Sequence, residues 1–496
     1  MSWMRSSLVS RRIEHFKILR HGRRYDRETG KFIVNIAYQT ATVISPRTVA
    51  VSEAFGLGVD EEKQFVLYDN VELKISPKDI VLITGDSGSG KSVLLKALQR
   101  DVEGTPEVLG GVINISDVEI NQDKPLIETV GRTVEGGLEL LSRVGLNDAF
   151  LFLRSYSQLS DGQRYRFRIA KMIESGAQWW VMDEFCATLD RDTAKIVAFN
   201  VQKLARQNGR AVLAATTHTD LFEDLHPSVH VHKRFGKEIC VVYYTPELGK
   251  ECSLLKEIRI EQGTTADYRS LAEFHYRSHR VGAVRKIFRA MRGDELCGVI
   301  VYVYVPICQP GRKQVLAFGT RIKELNEKLS LIMRVVVHPK YRTVGLGQRL
   351  VRETLAVCGT PCVETIAVMA KYNPFFEKAG MRKIRECGPS KEACTIRDLL
   401  LRLGFDLTFL GSPKYVLAKL QDLRPAELSA VREVFQRNII PRLVKEFQFG
   451  MPYGKHELYR RQLSMAPLEK LTRLINITAL LLQTKVYLFW ENAQVS

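Results

Sequence analysis

Short apolar runs recur along this chain, each closed by a glycine-rich or acidic turn and followed by residues with helical spacing. Ile80-Val81-Leu82-Ile83 is the first, with the helical pattern Val93-Leu94-Leu95-Lys96-Ala97-Leu98 behind it. Trp179-Trp180-Val181-Met182 and Ala211-Val212-Leu213-Ala214-Ala215 are of the same kind. Runs of this length bounded by turn signals and followed by helical spacing predict strands of an α/β fold. Farther on, Leu254 to Ile260, a helical stretch from Ala266 to His279 and a strand from Leu296 to Val305 predict a second α/β unit. A strand from Met333, a turn at Pro339, a glycine loop, a helix running to Val357 and a strand from Cys362 to Met369 continue it. Residues 395–496 have helical patterns, with Leu399-Leu400-Leu401 and Leu480-Leu481-Leu482 expected to pack them onto the body. No run of 18 or more apolar residues occurs. Leu474 to Trp490 comes nearest but is interrupted by Asn476, Gln483 and Lys485, so no membrane span is predicted.

The first strand runs into Gly85-Asp86-Ser87-Gly88-Ser89-Gly90-Lys91-Ser92, an intact G-x-x-x-x-G-K-[ST] phosphate loop, and the helix follows. Glycines let successive backbone N–H groups turn inward on a triphosphate, and the helix aims its positive end at the same anion. Lys91 is expected to reach the β- and γ-phosphates and Ser92 to ligate Mg²⁺. Leu159-Ser160-Asp161-Gly162-Gln163-Arg164 resembles the signature of ABC-type ATPases, and Trp179 to Glu184 resembles their Walker B strand. The resemblance implies Mg²⁺ ligation by Asp183, polarisation of the attacking water by Glu184, a Q-loop at Gln122 that also reaches the metal, a D-loop at Leu189-Asp190 and a γ-phosphate-sensing His218. It further implies a homodimer in which each signature loop, through Ser160, Gly162 and Gln163, closes the partner's ATP. Phe55 is the candidate for stacking on adenine, with Tyr68 the alternative. Three features depart from the family pattern: Asp161 replaces a glycine, Phe185-Cys186-Ala187-Thr188 follows Glu184, and only 36 residues separate Gln122 from Leu159. So short an arm argues against transport.

Downstream, Arg342-x-x-Gly345-x-Gly347 resembles the acetyl-CoA pyrophosphate loop of the GNAT acyltransferases, and Asn373 to Met381 resembles that family's closing helix. The resemblance covers about residues 252–385. It implies acetyl-CoA binding by Val335, Val337, Arg342, Val344, Gly345, Leu346, Gly347 and Asn373. The strands before and after the loop should splay, baring the backbone of Val335 and Val337. Acyl transfer needs a base for the amine and an acid for the thiolate. Glu364 and His338 are base candidates; Phe376 occupies the family's tyrosine position, leaving Tyr372 as the fallback acid.

The net charge of +18 concerns partners. Residues 1–40 hold nine bases against three acids, with Phe16 and Tyr25 among them, and further bases recur at Arg432, Arg437, Arg442, Lys445, Arg460, Arg461, Lys470 and Arg473. Such surfaces grip phosphate and stack on bases, so nucleic acid is a candidate partner. Nine cysteines without a C-x-x-C pair, and an amino terminus without an apolar h-region, predict a reducing cytoplasm and no zinc site. The expected class is α/β: a basic extension over 1–45, an ABC-type ATPase over 46–247, a GNAT-like domain over 248–388 and a basic, mostly helical region over 389–496. The expected activity is ATP hydrolysis coupled to N-acyl transfer from acetyl-CoA onto RNA or DNA. The alternatives are a protein acetyltransferase and an ATP-driven nucleic-acid clamp with a non-catalytic GNAT-like domain.

Overall fold

The computed structural model describes residues 16–492 apart from 41–43, 57–63, 147–148, 250, 275–280, 308, 317–320, 369, 371–372 and 448–455. Two compact units emerge. The first comprises residues 1–279, 288–299 and 336–350, and the second comprises 280–287, 300–335 and 351–496.

In the first unit, β1 (Phe16–Asp26), β2 (Lys31–Thr40) and β3 (Gln64–Lys74) form an antiparallel sheet. A second sheet joins β4 (Ile80–Gly85), β5 (Val112–Asn114), β6 (Trp179–Met182), β7 (Ala211–Ala215), β8 (Val229–Lys233) and β9 (Ile239–Tyr243) in the order β5-β6-β7-β4-β8-β9. β4 pairs in parallel with both β7 and β8, which explains its unbroken apolar run. Alternate residues feed two cores. Ile80 and Leu82 pack with Phe167, Val197 and Val201 of the helices over Asp161–Glu174 and Arg191–Asn208, whereas Val81 and Ile83 pack with Phe32, Val34, Ile36 and Leu94.

That second core holds Phe32, Val34 and Ile36, so residues 31–40 are a packed strand within the span expected as a basic extension. Burial alternates along residues 31–36, where Phe32, Val34 and Ile36 are fully buried and Lys31, Ile33 and Asn35 half-buried. The arginines drew the eye from a half-buried strand of period two. Tyr25, proposed as a base-stacking residue, packs against Phe32 at 5.0 Å between ring centroids. Arg5, Arg11, Arg12 and Glu14 lie outside the described residues.

The remaining strands are β10 (Arg259–Gln262), β11 (Val284–Arg292), β12 (Glu295–Tyr304), β13 (Leu329–Val337), β14 (Cys362–Ala367), β15 (Arg382–Cys387) and β16 (Lys485–Glu491). Their order is β10-β11-β12-β13-β14-β16-β15. In the second unit β16, from the far end of the expected tail, inserts between β14 and β15, antiparallel to both. Among its described residues the segment 389–496 is mostly helical to Leu481, as expected, and then adds β16, so that its helices lie in sequence between two neighbouring strands. Its helices, Lys391–Arg402, Pro413–Gln421, Pro425–Arg437, His456–Ser464 and Leu468–Leu481, enclose a core of their own around Ile396, Leu400, Val431, Phe435, Leu471 and Leu474. Several of its bases are neutralised locally: Arg437 pairs with Glu433, Arg460 with Glu457 and Arg473 with Glu446. Among the described residues, no helix is long and apolar enough to cross a membrane.

Candidate nucleotide site and glycine loop

β4 ends at Gly85, whose φ of 142° and register opposite Lys233 leave no room for a side chain: a Cβ there would lie 1.9 Å from the Lys233 carbonyl oxygen. Beyond it the chain turns through Gly88 and Gly90, both left-handed, into the Lys91–Glu103 helix. Tyr68 steadies the loop from below by donating to the Gly90 carbonyl at 3.0 Å; it is fully buried and offers no face to a base. Lys91 Nζ donates to the carbonyls of Gly85 and Asp86 at 2.8 and 2.7 Å, and burial pulls its pKa below the usual lysine value despite Asp86 and Asp183 nearby.

β6, next but one to β4 in the sheet, brings Asp183 to the same edge. Ser92 Oγ donates to Asp183 Oδ1 at 2.9 Å, so the two expected Mg²⁺ ligands adjoin although they stand 91 positions apart in the chain. A hard oxygen pair near a lysine, at the glycine turn that opens a helix, suits Mg²⁺·ATP. The Glu184 N–H also donates to Asp183 Oδ1, at 3.0 Å. Glu184 and Cys186 both have left-handed φ, 48° and 57°, a conformation costing about 1–3 kcal/mol each. The turn is held because Phe185 and Cys186 are fully buried and the Phe185 N–H donates to the Ala215 carbonyl. It leaves Glu184 exposed at the rim.

His218 follows β7 and is half-buried, its N–H bound to Thr216 Oγ1. Gln122 is exposed, and its carbonyl accepts from Ser157, tying that loop to the turn before the signature. Ser160 caps the Asp161–Glu174 helix in a reciprocal box with Gln163, which makes these two residues helix-start determinants as well as expected ATP contacts. Asp161 is exposed and paired with Arg164 at 3.4 Å. Phe55 ends the Pro46–Phe55 helix and is 76% exposed.

Two residues at this edge escaped the sequence reading. Lys233 is fully buried, its ammonium donating to the Arg234 carbonyl at 2.6 Å and to that of Gly236. Phe235, in the β8–β9 turn, is 64% exposed with a ring carbon 4.0 Å from where a Gly88 Cβ would stand. An exposed phenylalanine before Gly236 was the available signal.

β13 leads to the second glycine loop. Its parallel pairing with β14 covers only Leu329–Leu331 against Cys362–Glu364, although β13 continues to Val337 and β14 to Ala367. Val335 and Val337 are half-buried. Gly345 has φ 100° and open space around it, and the Leu346–Thr354 helix starts directly after it. Val344 and Leu346 are buried, Gly347 is half-buried within that helix, and Asn373 is half-buried ahead of Phe375. Arg342 is turned toward protein, donating to the carbonyls of Val337 and Phe274 at 3.2 Å each.

The acyl-transfer candidates fare differently. Glu364 is fully buried; Arg312 binds both its carboxylate oxygens, at 3.0 and 2.5 Å, and the Tyr487 hydroxyl donates to one of them at 2.8 Å. Both oxygens of this carboxylate are engaged, by three hydrogen bonds in all, an arrangement that suits an anchor better than the expected base. Phe376 is buried against Phe375. His338 Nδ1 accepts from the Lys340 N–H at 3.3 Å, and burial lowers its pKa, so it is neutral near pH 7. Tyr372 lies outside the described residues.

Strand, phosphate loop, helix, Walker B carboxylates and a capped signature helix together define an ATP-binding ABC-type ATPase module, and the N-terminal part of the chain carries it. The ABC transporter family matches residues 68–135. The phosphonates import ATP-binding protein PhnC 2 of Cupriavidus necator is 28% identical over 242 residues, 40% of this chain and 82% of that protein. The lipoprotein-releasing system ATP-binding protein LolD of Ehrlichia ruminantium is 29% identical over 200 residues, 34% of this chain and 85% of its own. A solved dimeric ATP-binding cassette in a post-hydrolysis state with ADP and Pi is similar over 36% of this chain and 92% of that one, at 19% identity and a TM-score of 0.31.

Proposed function

We propose that the ABC-type module hydrolyses ATP as a head-to-tail homodimer and that this cycle is coupled to acetyl-CoA-dependent N-acyl transfer. The observation that carries the acyl-CoA half is the early end of β13–β14 pairing, after which the strand leading into the glycine loop runs on without β14 as its ladder partner. The expected arm of acetyl-CoA lies along that stretch, where the Val337 carbonyl is held by Arg342, with its pyrophosphate at the start of the Leu346–Thr354 helix. In the ATPase half, Lys91 neutralises phosphate charge and Ser92 and Asp183 hold Mg²⁺. Glu184 takes the proton of the attacking water, and His218 orients the γ-phosphate. Bound acetyl-CoA would supply an activated acyl group.

A second reading has specific support. With Glu364 locked by Arg312 and Phe376 buried, the GNAT-like region can bind a cofactor without transferring it, leaving an ATP-driven clamp. The test is transfer of labelled acetyl from acetyl-CoA to RNA, DNA and protein fractions with ATP, beside a direct acetyl-CoA titration. ATP-dependent label in nucleic acid supports the proposal, and label in protein moves the acceptor to an amine on protein. Binding without any transfer supports the clamp; absence of binding refutes the acyl-CoA half outright.

A further inference from the structure

The glycine loop belongs to the same compact unit as the ATPase module, and it is held there by the two helices that follow the signature and the D-loop. Asp190 caps the Arg191–Asn208 helix by accepting from the Thr193 N–H at 3.0 Å. In the first turn of that helix, Asp192 is bound by Arg292 at 2.7 Å and by Lys340 at 2.6 Å, the latter in the turn that opens the glycine loop. Farther along the same helix, Asn200 Nδ2 donates at 2.7 Å to the hydroxyl of Thr343, which in turn donates to the Arg342 carbonyl. Thr343 has φ 75°, a conformation a β-branched residue does not adopt unaided. Its side chain sits where a Gly145 Cβ would meet it at 3.1 Å, and the same space touches Arg166 of the signature helix. Arg166 is buried beside Arg342, and burial together with that like charge brings its pKa down to about 10.

A strained threonine persists only where its surroundings over-determine it. Here those surroundings are the helices rooted in the signature, which is expected to close the partner's ATP, and in the D-loop. We propose that these helices act as a lever on the glycine loop: displacement of Asp190 on ATP-driven closure passes through Asp192 and Asn200 to Lys340 and Thr343. The nucleotide state thereby sets the conformation of residues 338–347. A ligand or closure event shifts such a loop only by its differential contacts with two states, and the Asn200–Thr343 bond is the contact that would be made or broken. The inference rests on the ATPase reading and deepens the acyl-CoA reading, but it can be tested apart from the latter.

The experiment is amide hydrogen exchange of residues 338–350 in the full chain carrying Glu184→Gln, with and without Mg²⁺·ATP, beside acetyl-CoA titrations under both conditions. ATP should change loop exchange at least fivefold and acetyl-CoA affinity by a similar factor. Asn200→Ala and Thr343→Gly, the latter relieving the backbone, should each reduce both ratios to near one while ATP binding is retained. Loop exchange indifferent to ATP in the otherwise unaltered chain overturns the lever. So does an ATP response that survives in both variants. An ATP-responsive loop that binds no acetyl-CoA upholds the lever and sinks only the cofactor assignment.

Discussion

Replacing Arg312 by methionine would strand a carboxylate in the interior. Glu364 is 0% exposed and would keep one hydrogen bond, from Tyr487, of the three it has. Breaking a buried ion pair from one side costs about 3–5 kcal/mol. The carbonyls of Pro306 and Ile307, which Arg312 also serves at 2.7 and 2.9 Å, push the expected loss to the upper half of that range. With a urea slope of about 2 kcal/mol/M, the unfolding midpoint of the second unit, followed by pulse proteolysis of the full chain, should fall by about 2 M. Tyr487→Phe should cost about 1.5–3 kcal/mol, as a hydrogen bond to a charged group does. The double variant Arg312→Met/Glu364→Leu should recover all but about 1–2 kcal/mol, the residue of the two unserved carbonyls. A midpoint for Arg312→Met within about 0.3 M of the unaltered protein, on the same slope, would refute the argument. A double variant no better than the single would do so equally.

The ATPase site makes its own demands. Glu184→Gln should leave ATP affinity unchanged and slow turnover about 10²–10⁴-fold, measured by phosphate release; a rate within threefold of the original would remove Glu184 as the base. His230, whose Nε2 lies 2.8 Å from Thr84 Oγ1, has its pKa depressed by burial and then by His232. The folded state therefore refuses a proton that the unfolded chain takes up below about pH 6.5, so stability is full above that pH and falls as pH drops through it. Urea midpoints at pH 7.5 and 5.5 should show this loss shrink in His230→Gln, and an unchanged pH slope would count against it. Phe376→Tyr adds a hydroxyl to a buried ring packed on Phe375. It should cost about 1–3 kcal/mol without raising acyl transfer, and a faster enzyme would show that the missing hydroxyl limits the reaction.

The nucleotide site was legible because its chemistry is local. Gly85 to Ser92 and Trp179 to Glu184 announce themselves in consecutive residues, and the sheet only has to bring β4 and β6 to one edge. The dense charge of residues 17–31 hid β1 and β2, and Ile33 between Phe32 and Val34 blurred the period of two that burial follows. What could not be read was pairing at a distance. Nothing near Lys485–Glu491 says that this strand returns between β14 and β15, and nothing near Glu364 names Arg312 as its counter-ion. Glycine spacing located the second loop, but not the asparagine, 143 residues upstream, that grips Thr343.

The helical insertion between β15 and β16 bears on how the chain is made. Until residue 491 has left the ribosome, β14 and β15 each present a bare edge, because the strand that joins them is the last of this sheet to be synthesised. Such edges invite pairing with other chains. The intervening helices, with their separate core, can fold first and shorten the effective span that β16 must close. A newborn chain thus assembles its ATPase module well before its second unit is safe from aggregation, and holdase chaperones should find their binding sites in that interval.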